Sequence, residues 1–212
     1  MAVMNMVQDK SMLMVCAHDD DAVLYGTSLL SMGVLKRKCV LVMSTSDVLN
    51  STLEECVDAY KCFEGVDVSF MPGHEERDMR IKANRETVLF LLEFINREAI
   101  DIVVSPSQTC THLDHRKCAT ACEQACFHYR TWGNVRRSLA HWEGEILTPL
   151  QESDIKFNFN PESKTKAMSC FRNQEAFFSW SRAVLALNHF RSLQDGGDGY
   201  VECFKVASTS PF

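Results

Sequence analysis

An α/β fold, with a mainly parallel sheet flanked by helices on both faces, is what this sequence predicts. Three observations carry that expectation. Short, continuously apolar runs alternate with longer segments of helical rhythm. Turn residues and prolines punctuate the boundaries. The two densest His/Asp clusters each follow one of the apolar runs, where sheets of this kind hold their ligands.

The elements are read in order. Met12 to Ala17 (MLMVCA) is short and apolar throughout, as expected of a strand buried on both faces. Ala22 to Met32 has a helical composition, and Lys38 to Met43 (KCVLVM) is a second buried strand. From Thr52 to Phe63, apolar residues fall at Leu53, Cys56, Val57, Tyr60 and Phe63, a helical spacing. Val66 to Met71 alternates and then meets Pro72-Gly73, so it reads as a strand closed by a turn. Asn84 to Arg97 is the clearest helix, Ile100 to Ser105 a fourth strand, and Leu113 to Tyr129 a further helix. This β-α-β-α-β-α-β-α order predicts a Rossmann-like sheet with the first and fourth strands side by side where the winding reverses. Beyond Trp132 the pattern weakens. Ser138 to Trp142 reads as a strand, Ser163 to His189 as one or two helices, and Tyr200 to Val206 as a closing strand after the Gly196-Gly197 turn.

Composition narrows the class. The chain has 212 residues, 46% hydrophobic and 24% charged, enough for one domain over 1–212 with a full core. No Pro/Gly/Ser-rich linker, repeat or low-complexity tract divides it. The formal net charge of −6 offers no electrostatic basis for nucleic-acid binding. No segment reaches about 18 apolar residues, so no membrane span is expected. The N-terminus lacks the layout of a secretion signal. Ten cysteines without such a signal read as free thiols in a cytoplasmic protein.

The clusters carry the chemistry. His18-Asp19-Asp20-Asp21 follows the first strand, and His112, Asp114 and His115 follow the fourth. Two histidines and a carboxylate suffice for a catalytic zinc with open positions, and the same set suits Fe²⁺ or another divalent metal. A second carboxylate can take a proton from water acidified by the metal. A further histidine can serve as general acid or steady an oxyanion. Together these groups suit metal-assisted amide hydrolysis.

The pair AHDDD…HLDH resembles the PIG-L/LmbE family of zinc-dependent N-deacetylases, which carry Ala-His-x-Asp-Asp and His-x-Asp-His after the corresponding strands. Glu55 with Ala59 and Glu64 to Val66, Lys164 to Gln174, and Gly199 to Val206 are similar to further stretches of that family, so the resemblance spans nearly the whole chain. It implies His18, Asp21 and His115 as zinc ligands and Asp20 as general base. It implies that His112 stabilises the tetrahedral intermediate or protonates the amine, and that Asp114 orients a neighbouring histidine. The implied substrate is a small amino sugar or amino-sugar conjugate bearing an N-acetyl or similar acyl group. Homo-oligomerisation is left open.

The chain also departs from the family pattern. Asp19 and Leu113 stand where proline is common, Gly26 replaces a Gly-Gly pair, and Thr52 stands where an arginine helps hold substrate. Arg77, Arg80 and Arg85 are candidates to replace it. The extra charge of Asp19 is expected to raise the pKa of Asp20 or of the bound water. These departures keep a second function class in view: an inactive family member acting as a binding or scaffold protein. A nucleotide-binding reading is set aside, because no G-x-G-x-x-G follows the first strand. Blander expectations cover the remaining candidates. Cys118, Cys122 and Cys126 read as a buried helical stripe, His74 as part of a solvated turn, and Arg130, Arg136 and Arg137 as a solvated basic face. His141 and His189 read as packing residues.

Overall fold

A computed structural model of the chain describes residues 2–45, 53–74, 81–132, 138–177 and 179–209. After a short helix α1 (Ala2–Val7), strands and helices alternate: β1 (Ser11–Cys16), α2 (Asp21–Leu30), β2 (Arg37–Val42), α3 (Leu53–Tyr60), β3 (Val66–Phe70), α4 (Arg85–Arg97), β4 (Ile102–Pro106), α5 (Leu113–Trp132) and β5 (Ala140–Gly144). Then come β6 (Ile155–Asn158), α6 (Pro161–Met168), α7 (Arg172–Phe177), α8 (Trp180–Gln194) and β7 (Val201–Thr209). The strands form one seven-stranded sheet in the order β3-β2-β1-β4-β5-β7-β6. β3 through β5 are mutually parallel, and β7 runs antiparallel to both β5 and β6. The expected α/β, Rossmann-like architecture is therefore the observed one.

β1 shows why the sheet is buried on both faces. Successive side chains of a strand point to opposite sides. Met12, Met14 and Cys16 enter one apolar core with residues of α2, α3, α6 and α8. Leu13, Val15 and Ala17 enter the other, with α4 and α5. β2 divides likewise, Val40 and Val42 against Cys39 and Leu41. A strand with no solvent face has no polar positions, hence the unbroken apolar runs. Cys118, Cys122 and Cys126 lie in the second core, as the stripe reading expected, and all ten cysteines are free thiols.

Local rules set the helices. α4 starts at Asn84, whose side chain accepts from the Thr87 amide, and ends with Arg97 in its last turn, favourable to the helix dipole. α6 starts at Asn160, which caps the Glu162 amide, with Pro161 in the first turn. α2 is interrupted at Gly26, where the backbone leaves helical geometry (φ −141°, ψ 25°). A Cβ there would stand 1.9 Å from Met14 Cε, so a larger residue would require the end of the Met14 side chain to move. Gly26 is thus inside a helix rather than in the turn after the first motif.

Two elements escape the sequence reading, α1 and the edge strand β6. The Ser163–His189 region holds three helices rather than one or two. Among the described residues no helix is long and apolar enough to cross a membrane.

Candidate metal centre

β1 and β4 are neighbours, paired from Met12 with Ile102 to Met14 with Val104. Beyond them the strand order departs in opposite directions, the crevice where such sheets bind ligands. Tyr25 of α2 fastens this point from below: its buried hydroxyl donates to the Val15 carbonyl at 3.1 Å, with the Val104 carbonyl at 3.4 Å. The two His/Asp clusters therefore meet. His18, Asp19 and Asp20 lie between β1 and α2, and Asp21 opens α2. His112 immediately precedes α5, and Asp114 and His115 lie in its first turn.

The three imidazoles of His18, His112 and His115 each offer one ligand atom, and these atoms lie within 4.8 Å of one another. Their ring centroids are 4.7 to 5.4 Å apart. Asp21 is buried beside them. Its Oδ1 is 3.1 Å from His115 Nε2 and 3.9 Å from His18 Nδ1, and its Oδ2 accepts from the His18 amide at 2.9 Å. His18 Nε2 faces Asp114 Oδ2 at 3.6 Å. Asp114 is 1% exposed, and neither carboxylate oxygen makes a hydrogen bond at this spacing. All six candidate residues sit at this one end of the sheet, with His112 exposed at the mouth. The gathered ligand atoms come from three histidines, and Asp21 touches two of them.

Buried carboxylates are costly unless something positive faces them. Burial alone would lower the His18 and His115 rings. The neighbouring carboxylates win, so His18 is held well above its ordinary value by Asp114 and Asp21, and His115 is raised to about 9 by Asp21. Against its own burial, Asp21 is held far below the usual carboxylate range by the same histidines. Asp20 goes the other way: burial first, then the charges of Asp21 and Asp19, push it up to about 8. The charge of Asp19 thus acts on Asp20 in the direction expected of that departure. His112 is lowered by burial and by the charges of His115 and His18. In chemical terms the buried carboxylates call for positive charge at this spot. Its imidazole and carboxylate donors fit a divalent cation of the zinc or Fe²⁺ class.

The acids are not spent as helix caps. Asp20 occupies the N-cap position of α2 without a side-chain capping bond. Asp19 is occupied elsewhere: its Oδ1 accepts from Gln174 Nε2 at 2.8 Å, and its carbonyl from the Tyr60 hydroxyl at 2.8 Å. His74 corrects an expectation. It is not a solvated turn residue but 8% exposed, with Nδ1 3.2 Å from Thr45 Oγ1 and its ring against Phe70. Arg130 is likewise no free surface charge, because it donates to the Cys126 carbonyl and to Ser208 Oγ. His141 is buried against Ser105 Oγ at 2.9 Å, within the packing, while half-buried His189 has Nδ1 2.9 Å from the Gly199 carbonyl near the surface. Thr52, Arg77, Arg80, Arg136 and Arg137 lie outside the described residues. Arg85 is exposed at the start of α4, while Arg172 Nε stands 3.9 Å from Glu55 Oε1.

Sequence reasoning missed Cys110, whose Sγ lies 3.1 Å from His115 Nδ1. Its position five residues before His115, in the loop leading into the motif, was the available signal. Burial would raise this thiol, but the hydrogen bond and charge of His115 bring it below its ordinary value.

Comparison with known proteins bears on the fold. No protein-family model matches the sequence, and no curated protein does. Solved structures do match over nearly their full length. N,N'-diacetylchitobiose deacetylase from Pyrococcus horikoshii superposes with a TM-score of 0.74 at 17% identity, over 99% of this chain and 89% of that one. The chain shares the fold of that deacetylase. The zinc-inhibited form of the teicoplanin deacetylase Orf2 gives 0.66 at 12% identity, over 95% and 99% of the two chains. The same fold also serves the 4-carboxy-2-hydroxymuconate hydratase of Pseudomonas putida KT2440, with a TM-score of 0.79 at 18% identity over 96% and 98%.

Proposed function

We propose that this protein is a divalent-metal-dependent hydrolase, a single domain over 1–212, that removes an acetyl or similar small acyl group from the nitrogen of an amino sugar or amino-sugar conjugate. The observation that carries the proposal is the convergence of His18, His112 and His115 at the switch point of the sheet, with the Asp21 carboxylate beside His18 and His115. His18, Asp21 and His115 would hold the cation, zinc in the first instance. When bound, the cation polarises the acyl carbonyl and acidifies water. Asp20 accepts the proton of the water that adds to the carbonyl carbon. Its carboxyl makes no capping bond to α2, and burial with the charges of Asp21 and Asp19 raises its affinity for a proton. His112, at the exposed mouth, donates to the developing oxyanion or protonates the departing amine. Asp114 orients His18. The deacetylases of the same fold support the substrate class. Free thiols in all ten cysteines support a reducing compartment, the cytoplasm.

The test is acetate release from N-acetylglucosamine, its glycosides and its nucleotide conjugates by the zinc-loaded protein. Release that depends on metal supports the proposal. No release from any of them would direct attention to a second reading, hydration of an activated double bond by the same Asp20-deprotonated water, which the hydratase of this fold favours. Failure of both would leave the binding-protein function.

A further inference from the structure

We propose that Cys110 is the positioning residue of His115: its sulfur accepts a hydrogen bond from Nδ1–H and thereby holds the Nε2 lone pair toward the metal. This rests on the metal-centre reading above and extends it to a residue outside both motifs. The two histidines beside Asp21 are built alike. Each turns one nitrogen to Asp21 and the other to an orienting group. His18 presents Nδ1 to Asp21 and Nε2 to Asp114, 3.6 Å away. His115 presents Nε2 to Asp21 Oδ1 at 3.1 Å, and its Nδ1 meets Cys110 Sγ at 3.1 Å. A neutral imidazole has one N–H and one lone pair, so fixing the first fixes the second. Carboxylates and carbonyls are the usual partners of ligand histidines; here His115 has a thiol.

Cys110 is held in place for this task. It is buried, its amide donates to the Ser107 carbonyl at 3.1 Å, and its own carbonyl accepts from Arg116 at 2.9 Å. Arg116 also binds the Thr111 carbonyl at 2.8 Å, and the Thr111 amide donates to Thr148 Oγ1 at 3.0 Å. Thr148 Oγ1 in turn lies 3.9 Å from Cys110 Sγ. The sulfur is on the side of the ring away from Asp21, so it orients the ligand rather than joining the ligand set. No electron transfer or bond change at sulfur is involved.

The experiment measures the zinc dissociation constant by chelator competition for the wild-type chain, Cys110→Ser, Cys110→Ala and His115→Ala. Serine keeps a hydrogen-bond partner for Nδ1, whereas alanine removes it with little change of volume. The expected order is wild type and the serine variant within a few-fold of each other, with the alanine variant about 10 to 100-fold weaker. Equal affinities for the serine and alanine variants overturn the role of Cys110, whatever their common value. His115→Ala binding zinc as tightly as wild type overturns the metal-centre reading instead. A second readout needs no variant: nitrogen NMR of the zinc-loaded wild-type protein should show His115 protonated at Nδ1. Protonation at Nε2 contradicts the proposal.

Discussion

Asp20 and His141 show how one physical rule gives two different residues. Both are buried and both resist charge, but only Asp20 sits where a cation would answer it. Asp20→Asn keeps the shape of the pocket and removes the proton acceptor. That variant should bind metal as the wild type does and lose about 10² to 10⁴ in turnover, measured by acetate release at saturating metal. Unchanged turnover would remove Asp20 as the base. His141 has no such partner. Its Nε2 meets Ser105 Oγ, its Nδ1 makes no hydrogen bond, and burial followed by the Arg130 charge lowers its pKa to about 4. An unfolded histidine titrates near about 6.5. The neutral ring therefore contributes stability that is complete above about pH 6.5 and is lost as the pH falls through 6.5 toward 4. By pH 5 the loss should be about 2 kcal/mol. Denaturant unfolding of wild type and His141→Gln at pH 7.5 and pH 5 checks it: the wild type should lose more stability on acidification than the variant. Parallel losses would show that His141 does not couple folding to pH.

At the scale of elements, the position of Asp21 depends on how α2 is anchored. The break at Gly26 frees the amides of Thr27 and Ser28, and the Glu202 carboxylate of β7 accepts both, at 2.9 and 2.7 Å. Lys164 of α6 completes the knot, with Nζ 2.8 Å from Glu202, 2.6 Å from the Leu24 carbonyl and 2.8 Å from Asn188 Oδ1. Every charge here is buried, and removing one partner strands the other. Lys164→Met should cost about 3 to 5 kcal/mol in denaturant unfolding, with part recovered in the double variant Lys164→Met/Glu202→Gln. A cost within experimental error would show that the pair does not anchor the helix. The elements differ in how readable they were. β1 and β2 announce themselves because their stretches Met12–Cys16 and Cys39–Val42, buried on both faces, are apolar throughout. β6 has four residues alternating buried and exposed, Ile155 to Asn158, too short a pattern to stand out from a polar loop. His74 was misjudged for a related reason: its turn context suggested solvent, but the Thr45 backbone and side chain meet it across 29 residues of sequence.

For the whole molecule, two clusters 94 residues apart, His18 and His112, become one site because parallel strands β1 and β4 lie side by side. That step was legible, since alternation of strand and helix fixes which strand ends meet. The partners that tune the site were not. Cys110 behind His115, Gln174 on Asp19 and the Lys164–Glu202 knot are pairs chosen by tertiary packing, and no local sequence window contains their reason. A ligand that binds only the folded state also stabilises it, by RT ln(1 + [L]/Kd), so the site and the stability of the whole chain are coupled. The central claim is that the acid at the end of β1 faces a metal ion. Metal content by mass spectrometry, for the wild-type chain beside His115→Ala, tests it most directly. The expected result is about one zinc or other divalent ion per wild-type chain and its loss from the variant. A wild-type protein that carries no metal and takes up none from added zinc, or a variant that keeps full occupancy, would contradict it.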